Sequence, residues 1–253
     1  MRQWLAIVCL LCSLGASAET AFISIIVDDI GYNRERGERA IALPAPLTFS
    51  ILPFTEHGAE LAGRATEAGR EVMIHMPMAN VSGKEIGPGG LTPELSHANF
   101  VDRVSNALAS VPNARGMNNH MGSLLTTRPL EMRWLMAEVK RHGLFFIDSR
   151  TTRETVASII AREQKIASAS RDVFLDNDPT PAAIDAEFKR LIARAKAQGI
   201  AIAIGHPHDA TIEYLEQALP RLAAEGIQVV PVSHAIALHQ LLAHRSSPQI
   251  ATD

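Results

Sequence analysis

Two kinds of hydrophobic pattern alternate along this chain. Short, nearly continuous apolar runs are typical of strands that are buried on both faces, as in a parallel sheet. Between these runs, apolar residues recur every three or four positions, which predicts amphipathic helices. The runs predict strands at residues 23–27, 47–52, 72–74, 114–118, 144–147, 173–175, 200–204 and 227–230.

Capping residues mark the ends of the predicted helices. Thr180 precedes Pro181, which suits the first helical position. Asp209 is expected to cap a helix over Thr211–Glu225, which Pro220 is expected to kink or split. Several helices end at a glycine, as in the left-handed C-terminal cap. These glycines are Gly69, Gly143, Gly199 and Gly226.

Strands that alternate with helices predict parallel strands joined by right-handed crossovers. We therefore predict an α/β fold with a single domain at residues 19–245, an irregular (β/α) barrel of seven or eight mostly parallel strands. Residues 246–253 are interpreted as a polar tail. A doubly wound open sheet is the alternative. However, Asp28-Asp29-Ile30-Gly31 follows the first strand in place of a glycine-rich nucleotide motif.

The first residues predict export. A basic start at Met1-Arg2 precedes an apolar stretch from Trp4 to Leu14, and Ala16-Ser17-Ala18 supplies small residues for cleavage. Residues 1–18 are thus predicted to be a signal peptide, which would make the mature protein periplasmic or secreted. An uncleaved anchor and a lipoprotein at Cys12 are the alternatives. The apolar stretch itself is too short to span a bilayer comfortably, and no transmembrane segment is expected after cleavage.

Composition and charge narrow the possible chemistry. Cys9 and Cys12 are the 2 cysteines, and both would leave with the signal peptide, so a metal site must use His, Asp and Glu. The formal net charge is −3 and there is no basic tract, so nucleic acid is not expected as a partner. A metal phosphoesterase is disfavoured for a separate reason: no basic cluster is expected at the predicted site to hold a phosphate.

Chemically capable side chains follow several predicted strands. In parallel α/β folds the functional site forms at the carboxyl ends of the strands. One such residue alone can be a helix cap or a structural group, but their recurrence after independent strands favours a shared site. His and Asp ligands without thiols suit Zn²⁺, and other divalent transition metals are the alternative. Such a metal activates water for amide or ester hydrolysis. The candidates are Asp28, Asp29, His75, His120, Asp148 and His206.

Two other stretches bear on this site. Asp176 and Asp178 are assigned to the turn before Thr180-Pro181. Residues 79–93, which are rich in glycine, are either a loop at the rim of the site or a solvated connection.

Five motifs in order carry a family resemblance. The chain resembles the divergent branch of the polysaccharide deacetylases from about Phe22 to His239. The motifs are Val27-Asp28-Asp29-Ile30-Gly31, His75-Met76-Pro77-Met78, Gly116 to Ser123, Asp148-Ser149-Arg150-Thr151 and Gly205-His206-Pro207-His208.

The resemblance implies a role for each candidate. Asp28 would be the catalytic base, and His206 would be the acid or a substrate contact. Asp29, His75 and His120 would bind the metal, while Asp148, with Arg150, would support or orient the site. Ordinary members of the family carry two ligand histidines close together, whereas no second histidine follows His75 within Met76–Ala79, so His120 must supply the third ligand.

Two functions follow as hypotheses. The favoured one is an exported, metal-dependent hydrolase that removes acyl groups from an envelope carbohydrate. The alternative is a non-catalytic periplasmic protein that keeps the deacetylase barrel and binds a carbohydrate or another envelope component; the altered histidine pattern motivates it.

Overall fold

The computed structural model describes residues 20–246. The predicted signal peptide and most of the predicted polar tail lie outside this range, so both stay predictions. No helix within the described range is long and apolar enough to cross a membrane. The strands are β1 (Ala21–Ile30), β2 (Thr48–Ile51), β3 (Glu71–Met78), β4 (Gly116–Met121), β5 (Phe145–Asp148), β6 (Ser168–Ser170), β7 (Val173–Phe174), β8 (Ile200–Gly205) and β9 (Ile227–Val229).

Helices connect most of these strands. The α-helices are α1 (Arg34–Ile41), α2 (Gly58–Glu67), α3 (His97–Ser110), α4 (Pro129–Arg141), α5 (Ala157–Glu163), α6 (Pro181–Gln198), α7 (Asp209–Ala218) and α8 (Val232–Ser246). There are also 3-10 helices before α4, at Leu125–Thr127, and after α7, at Leu219–Glu225.

All the strands join one parallel sheet in the order β6-β5-β4-β3-β2-β1-β8-β7, and β9 also pairs with β1. The first six strands are neighbours in chain order, without the reversal at which a doubly wound sheet changes direction. The predicted irregular (β/α) barrel is therefore confirmed. Among the described residues the sheet has nine strands, because the half-buried Ser168–Ser170 forms a short strand that hydrophobicity does not reveal.

The barrel is incomplete between its edge strands β6 and β7. The chain itself crosses this gap at two residues. The Arg171 N–H donates to the carbonyl of Asp148 on β5 at 3.0 Å, and the Asp172 N–H donates to the carbonyl of Ile202 on β8 at 2.8 Å. This crossing places Arg171 at the carboxyl end of the sheet, beside the ends of β5 and β8.

The buried side chains of the strands separate into two groups because successive strand residues point to opposite faces. One face packs beneath the surrounding helices and includes Val27, Ile74 and Phe146. The other face fills the barrel interior with α8 at its floor, and its members include Ile26, Met73, Ile147 and Ile204. A residue two positions after an interior residue is therefore expected to point into the barrel mouth.

Of the two predictions for the helix after β8, the split near Pro220 is confirmed and the cap at Asp209 is wrong. The helix after β8 does split, because α7 ends at Ala218 and a 3-10 helix containing Pro220 continues it. Asp209 is not the cap: it is the first helical residue, and its carboxylate accepts from Arg36 and Arg39 at 2.6 and 2.8 Å. These contacts tie α7 to α1.

Candidate metal centre

A break in the regularity of β1 brings two consecutive carboxylates to the same place. In a regular strand Asp28 and Asp29 would point to opposite faces. Asp29 instead has a φ of 57°, and the pairing of β1 with β2 shifts between Val27 and Ile30. Consequently one imidazole nitrogen, His75 Nε2, lies 3.5 Å from Asp28 Oδ2 and 3.1 Å from Asp29 Oδ1.

The three predicted metal ligands, Asp29, His75 and His120, lie close together. Asp29 Oδ1 lies 3.1 Å from His75 Nε2 and 3.0 Å from His120 Nδ1, and the two nitrogens are 3.1 Å apart. A tetrahedron around zinc with ligands at about 2.0–2.1 Å has edges of roughly 3.3 Å. The three side chains therefore fit three corners of a zinc site, and the fourth corner remains for water, as in catalytic sites.

The protonation pattern of His75 supports this fit. Its Nδ1 lies 2.7 Å from Asn118 Oδ1 and donates to it, because an amide oxygen can only accept. In the neutral ring the lone pair of Nε2 then faces Asp29 Oδ1, a buried oxygen without a hydrogen-bond donor. Two acceptors at this separation need a cation between them. Without a metal that cation is a proton, because burial would lower the pKa of His75 but Asp28 and Asp29 raise it. A metal ion can take the place of that proton, so the donor set suits a metal ion.

Asn118 is a site residue that the sequence analysis missed. It lies in β4 two positions before His120 and is fully buried. Its Nδ2 donates to Asp28 Oδ1 at 2.8 Å, while its Oδ1 accepts from His75 and, at 2.7 Å, from Ser50 Oγ. One amide thus orients both the proposed base and a metal ligand. Alternate residues of a strand share a face, so the pattern that places His120 in the barrel interior also places Asn118 there.

The two adjacent carboxylates have different electrostatic environments. Burial raises the pKa of Asp28 above its ordinary value, despite the opposing effects of His75, His206 and the Asn118 hydrogen bond. Burial also acts on Asp29, but its contacts with His120 and His75 outweigh it and hold the pKa of Asp29 far below its ordinary value. Asp29 is therefore ionised, as a metal ligand must be, while Asp28 is the stronger base.

His206 also borders the cluster, with its Nε2 3.8 Å from Asp29 Oδ2. Its Nδ1 is 2.9 Å from Asp176 Oδ1, and its ring packs edge-on against Phe174. Burial alone would lower the pKa of His206, but the Asp176 carboxylate raises it to about 9. His206 is therefore held as an imidazolium that can donate a proton from Nε2.

Asp176 lies in the irregular backbone before Thr180-Pro181, as predicted, but the sequence did not reveal its role. It is buried, and its second oxygen accepts from the backbone N–H of His206 and from Thr211 Oγ1. Asp176, His206 and His208 also form a group whose ligand atoms lie close enough for a metal. Both Asp176 oxygens are already engaged, however, so we assign this carboxylate to orienting His206.

Asp148 does not enter the cluster. It follows Ile147, an interior residue, so its side chain points to the opposite face of the sheet. One carboxylate oxygen accepts from the Arg150 N–H at 2.9 Å and the other from Thr155 Oγ1 at 3.0 Å. Asp148 therefore fixes the loop that follows β5 and makes no contact with Asp28, Asp29 or a site histidine among its hydrogen bonds.

A cavity of about 370 Å³ opens over the cluster. It is bounded by Asp28, His75 and His206 below and by two arginines, Arg150 and Arg171, on its wall. The expectation that no basic cluster accompanies the site is therefore wrong. The charge count did not reveal the pair because residues 21 positions apart meet where the chain crosses from β6 to β7.

A second cavity, of about 280 Å³, lies on the other side of Asp29 and His120. Glu85, Ile86, Gly87 and Pro88 form one wall, and Tyr32 is also part of the lining. The glycine-rich stretch at residues 79–93 therefore forms a rim loop at the site rather than a distant connection.

The chain is similar to known proteins over most of its length. The family model described as "Divergent polysaccharide deacetylase" matches residues 25–236. A Haemophilus influenzae protein described as "Uncharacterized protein" is 40% identical over 208 residues, which cover 82% of this chain and 74% of that protein.

Solved structures share the fold at low sequence identity. The uncharacterized protein ATU2773 from Agrobacterium tumefaciens has a TM-score of 0.83 and 22% identity, covering 87% of this chain and 91% of that one. BA3943 from Bacillus anthracis, described as a CE4 family pseudoenzyme, has a TM-score of 0.54 and 14% identity, covering 87% and 66%. A mutant of BA3943 is described as having restored enzymatic activity. With the family model matched across the barrel and its site, this chain belongs to the divergent polysaccharide deacetylase family.

Proposed function

We propose that this protein is an exported, zinc-dependent deacetylase that removes acyl groups from an envelope carbohydrate. The observation that carries the proposal is that Asp28 and His206 both lie against the Asp29–His75–His120 cluster, Asp28 beside His75 and His206 beside Asp29. A base and an acid that border a three-ligand metal site are what metal-assisted hydrolysis of an amide or ester needs.

The protein groups divide the reaction between them. When bound, zinc would lower the pKa of its water to roughly 7 and polarise the acyl carbonyl. Asp29, His75 and His120 would hold the ion, and Asp28 takes the proton from the attacking water. His206 then gives its Nε2 proton to the departing amine or alcohol, while Asp176 keeps its ring oriented. With its pKa raised to about 9, His206 starts with the proton that its role requires.

The decisive test compares Asp28→Asn with the wild-type protein. Acetate release from acetylated glucosamine oligomers and from a chromogenic acetate ester is measured, together with the zinc content. Because Asp28 is not among the three proposed ligands, we expect Asp28→Asn to retain zinc and to lose at least about 100-fold in kcat, the size of a general-base contribution. Asp102→Asn, an exposed change on α3, is the matched control and should leave activity unchanged. Full activity in Asp28→Asn would refute its role as the base.

The alternative function is a non-catalytic envelope-binding protein. It is supported by the unusual ligand spacing and by the occurrence of the same fold in BA3943, a CE4 family pseudoenzyme. Zinc bound tightly by the wild-type protein, with no acetate released from any member of the substrate panel, would favour binding over catalysis.

Export is part of the proposal. It depends on residues 1–18, whose basic start, apolar stretch and small residues suit a signal peptide. Cell fractionation and N-terminal sequencing of the full-length product test it. A periplasmic or secreted protein that begins at Glu19 is the expected result, and a cytoplasmic full-length chain would contradict it.

A further inference from the structure

We propose that the cavity over the cluster binds an acylated sugar that carries an anionic substituent, with Arg150 as the residue that recognises the anion. This inference rests on the proposed deacetylase function and names the class of its substrate. Two cationic side chains, Arg150 and Arg171, lie on the wall of the cavity that contains Asp28 and His206.

The loop that carries Arg150 is held from three directions. Asp148 accepts the Arg150 N–H, and Thr151 Oγ1 donates to the carbonyl of Met121 at 2.8 Å. Arg171 donates through Nε to the carbonyl of Ser149 at 2.7 Å and through Nη2 to that of Arg150 at 3.0 Å. Such hydrogen bonding fixes the position of a binding residue before its ligand arrives, which lowers the cost of binding.

The backbone of Arg150 is in a conformation that its residue type rarely adopts. Its φ is 50°, in the left-handed region that favours glycine and asparagine. Strained residues persist where the surrounding structure imposes them, and they cluster at binding sites. Arg150 combines this backbone conformation with an exposed side chain on the cavity wall.

Nearby carboxylates act on these guanidinium groups only from a distance: Asp28 and Asp148 attract Arg171 without forming an ion pair with it. Among the described residues, no carboxylate lies within ion-pair distance of Arg150 or Arg171. Arg171 is half-buried, and its Nε and Nη2 are used by the loop carbonyls, while its guanidinium also lies over the Phe174 ring at 4.9 Å. Arg150 has no such engagement of its side chain. Its planar donor set suits a carboxylate or phosphate group on the substrate.

The binding test uses three matched sugars with the zinc-loaded protein. They are N-acetylglucosamine, its 3-O-lactyl derivative N-acetylmuramic acid, and N-acetylglucosamine 6-phosphate. They share the acetamide and the ring and differ in having no anion, a carboxylate or a phosphate. Isothermal calorimetry measures the dissociation constants, and acetate release is followed in parallel.

We expect at least one of the two anionic sugars to bind about tenfold more tightly than the neutral sugar, and the preferred one identifies the anion. Arg150→Asn should abolish this preference, and asparagine is chosen because it tolerates the left-handed backbone. Arg150→Lys should retain only part of the preference. Arg153→Asn, which removes the same charge from an exposed position three residues away, is the matched control and should keep the full preference.

The outcomes separate this inference from the proposed function. Equal affinity for the three sugars, absence of binding by all of them, or a preference that survives Arg150→Asn would overturn the inference. Acetate release without any anion preference would leave the deacetylase function standing and refute the role of Arg150. Anion preference without acetate release would support Arg150 as the recognition residue and favour the binding protein instead.

Discussion

Replacing Asn118 with alanine tests the hydrogen-bond arrangement that underlies the site. The change removes a donor to Asp28 Oδ1 at 2.8 Å and an acceptor for His75 Nδ1 at 2.7 Å. Loss of a hydrogen bond to a charged group costs about 1.5–3 kcal/mol, or roughly 10- to 150-fold in a rate or binding constant. Loss of a partner that orients a ligand histidine typically weakens metal binding by about 10- to 100-fold. We therefore expect Asn118→Ala to lower both zinc affinity and kcat/KM.

Asn118→Ala should also change the pH dependence of kcat/KM in a definite direction. The Asn118 N–H stabilises the ionised form of Asp28 and so opposes the rise in its pKa that burial causes. Without it the pKa of Asp28 rises further. Because the base must be ionised, the acid limb of the kcat/KM profile should move to higher pH.

Competitive zinc titration and pH-dependent acetate release measure the two effects. Ser50→Ala is the matched control, because it removes only the hydroxyl donor to Asn118 and should change zinc affinity by no more than about fivefold, the value of an ordinary hydrogen bond. If Asn118→Ala binds zinc as tightly as the wild type and keeps its acid limb, Asn118 does not couple the base to the metal ligand.

Three further predictions address the rest of the site and its backbone. Asp176→Asn should let the pKa of His206 fall from about 9 towards its ordinary value, so that the basic limb of the rate profile moves down to near-neutral pH; an unmoved limb would exclude His206 as the acid. Gly31 has a φ of 142°, and a side chain there would overlap the Thr55 hydroxyl, so Gly31→Ala should destabilise the protein to urea by about 1–3 kcal/mol. Gly63→Ala on α2, where a Cβ meets nothing, is its control and should not destabilise. Chelation of zinc should lower the melting temperature, since a ligand at 100 times its Kd adds about 2.7 kcal/mol of stability; an unchanged melting temperature would argue against a resident metal.

Much of the fold follows from the sequence because strand and helix periodicities are local properties. The strand order of a barrel then follows from short right-handed connections. What escaped prediction is β6, whose Ser-Ala-Ser has no hydrophobic signal and which exists because β5 offers it a free edge. The chain crossing at Arg171 was not predicted either, because it follows directly from the position of β6. Without that crossing, the sequence could not show that Arg171 and Arg150 line one cavity.

The alternation of strand side chains explains most of the site. Ile26, Met73 and Ile204 face the barrel interior, so the residues two positions later, Asp28, His75 and His206, face its mouth. By the same alternation Asp148, which follows the interior residue Ile147, lies on the face beneath the helices. The sequence alone could have shown this. Asp176 could not be found in this way, because it lies after β7 in irregular backbone and its role depends on the long-range contact with His206.

Asp29 is the exception to this rule, and the exception creates the proposed division of labour. By alternation its side chain should lie on the face opposite to Asp28. The left-handed backbone at Asp29 and the shift in β1–β2 pairing return it to the same site, where it meets His75 and His120. Two carboxylates in one site have their pKa values pushed apart by their surroundings. The one that meets the histidines stays ionised and suits the metal, and the buried one beside Asn118 becomes the stronger base. A local change in backbone direction, rather than residue type, thus distinguishes two adjacent aspartates.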